Sequence, residues 1–164
     1  AFDVDGVLTD GSLFYSDHDV EIKAFNTLDG HGLKMLQQAG VTVAIITGRR
    51  ARCVEARAAN LGIGYLFQGV DNKLEVMNSL LAELGLASDA AGYMGDDLPD
   101  LPLMCACGFS ATPSDGHALL QRYASLTTAR GGGRGAVREA CEFILQAQGK
   151  LAAAIAPYLP VAGR

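Results

Sequence analysis

Val41-Thr42-Val43-Ala44-Ile45-Ile46 is an almost unbroken apolar run that opens directly into Thr47-Gly48-Arg49. A short run of this kind, rich in β-branched residues, is the pattern of a strand buried on both faces of a parallel sheet. Upstream, Ala1-Phe2-Asp3-Val4-Asp5 has the form of the end of another strand, so the chain is expected to open inside an element. Between these runs, residues 12–16 and 20–25 flank Asp17-His18-Asp19 as a hairpin signal, and Gly30 to Gln38 reads as a short helix stopped at Gly40.

Downstream the alternation continues. Residues 51–61 place Val54, Ala58 and Leu61 on one helical stripe ended by Gly62, and Tyr65-Leu66-Phe67 is a short strand. Leu74, Met77, Leu81 and Leu84 mark a helix over 73–84, and Ala91 to Met94 is a strand running into Gly95-Asp96-Asp97. Then come a helix over 99–106, a strand over 109–111, a helix over 115–122 and a strand over 124–128. A last helix spans about 136–148, with Val137, Cys141, Ile144 and Leu145 on one side, and Pro157 and Pro160 mark a departing tail. Strand–helix alternation at this spacing predicts an α/β fold, a doubly wound, Rossmann-like parallel sheet. The organisation expected is a single domain over 1–150, with the 12–25 hairpin inserted after the first strand, and a C-terminal tail over 151–164.

Composition narrows the function classes. The 164 residues carry 18 acidic against 13 basic side chains, a formal charge of −5, and 49% are hydrophobic. Such a balance describes a folded soluble chain and argues against nucleic acid or an anionic membrane as the main partner. No apolar stretch approaches a bilayer span, and no basic-then-apolar signal segment opens the sequence. Cys53, Cys105, Cys107 and Cys141 contain no C-x-x-C pair. They are expected as buried free thiols in a reducing cytoplasm. His18, His31 and His117 are too scattered to suggest a histidine metal site.

In an open parallel sheet, ligands bind beyond the carboxyl ends of the strands. The polar residues just after each apolar run are Asp3 and Asp5, then Thr47, Gly48 and Arg49, then Lys73, then Asp96, Asp97 and Asp100. Each motif alone has an ordinary structural explanation: a turn, a helix cap, a solvated lysine. Their convergence on one edge does not. Asp3 and Asp96 offer hard oxygen ligands for Mg²⁺, which commonly takes only one or two protein carboxylates. A carboxylate can attack phosphorus to form an aspartyl-phosphate. Of the Asp3/Asp5 pair, one would attack while the other shuttles the proton to and from the leaving alcohol. Thr47 and Lys73 would hold the non-bridging phosphate oxygens.

These residues carry a family resemblance. Asp3-Val4-Asp5-Gly6-Val7-Leu8-Thr9-Asp10, Thr47-Gly48-Arg49, Lys73 and Gly95-Asp96-Asp97…Asp100, in that order, resemble the four motifs of the haloacid dehalogenase-like phosphatases. The resemblance implies Asp3 as nucleophile and Asp5 as general acid/base. It implies Thr47 and Lys73 as phosphate-binding, Mg²⁺ on Asp3, the Asp5 carbonyl and Asp96, and Asp97 and Asp100 in support. The hairpin, Phe25-Asn26-Thr27-Leu28-Asp29-Gly30, Gly132-Gly133-Arg134-Gly135 and Leu145 to Lys150 are similar to the cap-less branch acting on 3-deoxy-D-manno-octulosonate 8-phosphate. This chain has Leu28 where some members carry a basic residue.

That narrower resemblance implies a cytoplasmic hydrolase of lipopolysaccharide sugar biosynthesis. It also implies a homotetramer in which the hairpins meet centrally and a neighbouring subunit completes the site. An open strand-end site needs such help to exclude water. Asn26, Asp29 and Gly30 are expected to reach the sugar, and Lys34, Arg49 and Arg57 to pair with its carboxylate; Arg134 is left between substrate and interface roles. Three other readings stand beside this one: a phosphatase for nine-carbon sugar-acid phosphates, a phospho-receiver signalling domain and a non-catalytic scaffold. Five of the 18 acids fall at the predicted site, and the remainder equals the 13 bases. The acidic excess is thus a local cluster that calls for a divalent cation.

Overall fold

Phe2 organises the sheet. It bridges in parallel to Ile45 on one side and Met94 on the other, with Phe2 N donating to the Ala44 carbonyl (3.0 Å) and Asp3 N to that of Met94 (3.0 Å). The computed structural model describes residues 1–18 and 20–160; Asp19 and the expected tail end at 161–164 lie outside the described residues.

Around Phe2 lie β3 (Ala44–Thr47) and β4 (Tyr65–Gln68) on one side, and β5 (Gly92–Met94), β6 (Phe109–Thr112) and β7 (Leu126–Thr127) on the other. All of these pair in parallel, in the order β4, β3, Phe2, β5, β6, β7. The short antiparallel pair β1 (Phe14–Tyr15) and β2 (Glu21–Ile22) stands apart from this sheet.

Successive strand residues point to opposite faces. Ile45 and Met94 therefore join one core with α1 (Thr27–Gln38), α2 (Arg52–Leu61) and α6 (Ala136–Ala147), through Leu33, Val54 and Val137. Ile46 and Tyr93 join a second core with α3 (Lys73–Leu84), α4 (Leu101–Ala106) and α5 (Ala118–Tyr123), through Met77, Leu103 and Leu120. Helices on both faces of a parallel sheet are the α/β architecture that the alternation predicts.

Boundaries differ where side chains intervene. The helix expected from Gly30 starts at Thr27, because Asn26 Oδ1 accepts from Leu28 N (2.8 Å) and caps it. The hairpin keeps only two paired positions per strand, since Lys23 turns inward. The tail expected from 151 instead forms α7 (Leu151–Ile155) and a 3₁₀ turn at Ala156–Tyr158. Leu151, Ala154 and Ile155 pack on the first core, and the Tyr158 ring meets His31 edge-on at 5.3 Å. Of the four cysteines only Cys141 is buried, and Cys105 is exposed; short α4 turns it outward from Leu103 and Met104.

Asp29, expected to reach the sugar, meets the start of α6. It is buried, and its oxygens accept from Gly135 N (3.3 Å) and Arg138 N (2.8 Å). Gly135, at the N-cap of α6, has no side chain to satisfy those amides, so Asp29 caps the helix from across the core. Burial raises its carboxyl pKa, against the pull of those amides. Asp29→Ala is expected to cost about 1–2 kcal/mol, the range of a lost cap, lowering the thermal midpoint by about 2–8 °C in a melting experiment.

Candidate active site

Asp3 ends the central segment of the sheet. Its Oδ1 accepts from Val4 N (2.7 Å) and its Oδ2 from Lys73 Nζ (2.6 Å). Lys73 opens α3, which Asn72 caps, and its ammonium also reaches Asp100 Oδ1 (2.6 Å). Asp100 is a hub: Tyr93 Oη donates to the same oxygen (2.9 Å), while Asp96 N (3.0 Å) and Asp97 N (3.3 Å) donate to Oδ2. Both oxygens of Asp100 are thereby occupied. Asp100 holds Lys73 against Asp3 and folds the Gly95-Asp96-Asp97 loop, where a Cβ on Gly95 would lie 2.4 Å from Asp100 Cβ.

Oxygens of Asp3, Asp96 and Asp100 lie within 4.8 Å of one another. Burial, then the charges of Asp3, Asp100 and Asp97, push the Asp96 carboxyl up to about 7. Burial and Asp100 likewise raise Asp3, opposed by Lys73. Lys73 stays firmly charged: burial disfavours its ammonium, but Asp3 and Asp100 outweigh burial and raise its pKa. Burial and the same two carboxylates hold the Tyr93 phenol protonated, well above its usual range. Three carboxylates crowded around one ammonium leave an uncompensated negative charge, and their hard oxygens suit Mg²⁺. Asp96, whose carboxylate accepts no hydrogen bond from a described residue, is the free ligand of the set.

Asp5 faces the other way. Lys23 Nζ bonds its Oδ1, and Arg49 Nε stands 3.8 Å from its Oδ2. Lys23 also pairs with Glu21 (2.6 Å), which pairs with Arg49 (3.0 Å), closing a ring of two acids and two bases. Arg49 further donates to Tyr15 Oη (2.6 Å), so the hairpin is fastened to this ring. Thr47, buried, ends β3 two residues beyond the Phe2–Ile45 bridge, and its carbonyl accepts from Val70 N (3.1 Å). Gly48 follows it, exposed.

The remaining predicted residues are placed elsewhere. Arg57 Nη2 donates to the Asn26 carbonyl (3.0 Å) and Nη1 to Asn60 (3.2 Å), and its guanidinium lies 5.7 Å from the Phe25 ring centroid. Gly30 is small to admit it, since a Cβ there would lie 2.3 Å from Arg57 Nη2. In this chain these two brace the joint between hairpin and α1. Asn26 Nδ2 donates to the Gly133 carbonyl (3.2 Å), Arg134 pairs with Asp10 (3.1 Å), and Lys34 is exposed on α1. Lys23, Glu21 and Tyr93 escaped sequence reasoning. For the first two a signal existed: the alternation Val20, Glu21, Ile22, Lys23 puts both charges on one face.

A parallel sheet with Asp-x-Asp after its central strand, a lysine opening a helix and an acidic loop after the next strand is the arrangement of the haloacid dehalogenase-like class. No family model matches the chain. It is 48% identical over 149 residues to the 3-deoxy-D-manno-octulosonate 8-phosphate phosphatase KdsC of Escherichia coli K12, covering 91% of this chain and 79% of that one. Among solved structures, the Moraxella catarrhalis phosphatase of the same name, in complex with magnesium ion, phosphate ion and KDO, matches with a TM-score of 0.94 and 42% identity over 96% of this chain and 91% of its own. The cobalt-bound Haemophilus influenzae enzyme matches with a TM-score of 0.88 and 40% identity over 92% of this chain and 88% of its own. The chain belongs to the 3-deoxy-D-manno-octulosonate 8-phosphate phosphatase family, which sets aside the receiver-domain reading.

Proposed function

We propose that this chain is a magnesium-dependent phosphatase that converts 3-deoxy-D-manno-octulosonate 8-phosphate to the free sugar acid and inorganic phosphate. The observation that carries it is Asp3 at the strand end, clamped by Lys73 at 2.6 Å beside the Asp96 carboxylate. Asp3, Asp96 and the Asp5 carbonyl would hold Mg²⁺. When bound, the ion offsets the repulsion between an anionic nucleophile and an anionic ester.

The chain's own groups do the rest. The Lys73 ammonium and the Thr47 hydroxyl hold the non-bridging phosphate oxygens and stabilise their charge. A carboxylate oxygen of Asp3 forms a bond to phosphorus as the bond to the sugar oxygen breaks, and Asp5, which must enter this step protonated, gives that proton to the departing oxygen. Asp5, now a carboxylate, takes a proton from water as the water oxygen attacks the aspartyl-phosphate, freeing phosphate and Asp3. Asp97 and Asp100 support the loop that carries Asp96. Gly48 and Arg49, beside Thr47 and Asp5, remain candidates for contacts to the sugar acid, and the exposed Lys34 on α1 remains one for its carboxylate.

Assembly is part of the reading. Phe14, Tyr15, Val20 and Ile22 of the hairpin are each more than half exposed, an apolar patch of the kind that marks a protein interface. They support a homotetramer in which the hairpins meet and a neighbouring subunit covers a site with no cap of its own. Unpaired cysteines support a cytoplasmic setting, and the substrate places the enzyme in lipopolysaccharide sugar biosynthesis.

The test is phosphate release from a panel of sugar-acid phosphates. The eight-carbon 8-phosphate should be the best substrate, and chelation of Mg²⁺ should lower the rate on the order of a thousandfold, reversibly. A clear preference for a nine-carbon ester would overturn the substrate assignment.

A further inference from the structure

We propose that Lys23 is a positioning residue for the proton-transfer step, fixing the carboxylate of Asp5 toward the departing oxygen; the proposal rests on the acid–base role given to Asp5 above. The side chain of Lys23 is 1% exposed, although lysine is among the residues least often buried. Removing an ammonium from water is costly unless counter-charges meet it, and Lys23 has two, on different elements: Asp5 on the site loop and Glu21 on β2. A lysine that only filled the core would be replaced by an apolar residue without that cost.

The geometry gives Lys23 a specific task. Asp5 is held from both sides, Oδ1 by Lys23 and Oδ2 by Arg49 at 3.8 Å. It retains 21% exposure of its side chain, so it is not sealed off by its two cations. Arg49 is 42% exposed and stands farther from Asp5, its guanidinium engaged by Glu21 and Tyr15, whereas Lys23 is enclosed and bonds Asp5 directly. Lys23 is therefore the fixed point of the ring. Each aspartate of the Asp-x-Asp pair has its own lysine: Lys73 for Asp3, from α3, and Lys23 for Asp5, from the hairpin. A carboxylate misaimed by an ångström loses much of its effect in proton transfer.

The test separates positioning from support by varying the leaving group. An alkoxide such as a sugar oxygen needs the proton from Asp5; p-nitrophenolate leaves readily without it. First-turnover release of the alcohol is measured by rapid mixing for 3-deoxy-D-manno-octulosonate 8-phosphate and for p-nitrophenyl phosphate. In Lys23→Met the rate should fall about 100-fold on the sugar ester and less than about fivefold on the aryl ester, with KM nearly unchanged, since acid–base assistance is worth about 100-fold or more. Lys23→Arg, which keeps the charge, should recover most of the loss. Should Lys23→Met not fold, Glu21→Gln removes one anchor of Lys23 and should show the same bias toward the sugar ester at smaller size. Equal losses on both esters, or none, overturn the proposal. A wild-type chain inactive on both esters overturns instead the phosphatase reading on which it rests.

Discussion

Asp3→Asn is expected to lower Mg²⁺-dependent phosphate release by on the order of 10⁴–10⁶-fold, the scale seen when an enzyme loses its nucleophile. The substitution changes one oxygen to an amide nitrogen and leaves the shape intact. The remaining amide oxygen can still accept from Val4 N, and Lys73 keeps Asp100 at 2.6 Å. Two electrostatic changes oppose each other. The pair with Lys73 is lost, but so is the repulsion that Asp3 exerts on Asp96 and that Asp100 exerts on Asp3. The thermal midpoint should accordingly move little, and the oligomer should persist by gel filtration. Acid quenching of the wild type during turnover should trap phosphate on Asp3, and the variant should trap none. Near-normal activity of the variant would remove Asp3 from the nucleophile role.

Much of the arrangement was legible because strands in a parallel sheet announce themselves locally. The run ending at Ile46 and the motif that follows it are contiguous, and so are Tyr93-Met94 and the Gly95-Asp96-Asp97 loop. The general rule that ligands sit beyond carboxyl strand ends then gathers Asp3, Thr47, Lys73 and Asp96 without any coordinates. Illegible were partnerships across long chain separations. Asp29 reads as a polar residue in a sugar-facing turn, and only the fold reveals that it meets the bare N-terminus of a helix 106 residues later. Arg57 reads as a cation for a carboxylate, but packing sets it against the Asn26 carbonyl and the Phe25 face. Lys23 stayed hidden for a related reason: a lone lysine on a hairpin is usually solvated, and its burial depends on where the hairpin folds back. In each case the residue type told what bonds were possible, and tertiary packing chose among them.

Gly132→Ala should lower stability by about 3 kcal/mol, the upper end of the cost of overpacking, or about 6–12 °C in thermal midpoint. A Cβ there would lie 1.8 Å from the Gly6 carbonyl oxygen and 2.9 Å from that of Thr9, both backbone atoms that no rotamer change can remove. The glycine loop lies directly on the Asp-x-Asp loop, tied to it by Gly133 N to the Val7 carbonyl (2.9 Å), while Gly132 N is held from the other side by Asp115 Oδ1 (2.9 Å), in the turn after β6. Relief of the clash must push Gly6 aside, and Gly6 is already pressed against Asp96, whose Oδ2 is 2.0 Å from where a Gly6 Cβ would be. Turnover should therefore fall even at temperatures where the variant stays folded. Gly85→Ala supplies the comparison. Gly85 is left-handed at φ +66 with open space around it, so alanine there meets only the backbone penalty, about 1–2 kcal/mol, with activity intact. Gly132 does not have the left-handed conformation, so close approach alone explains its need for glycine. A Gly132→Ala midpoint no lower than that of Gly85→Ala would mean that the glycine loop yields to a methyl group, and that the contact with Gly6 does not set the position of Asp96.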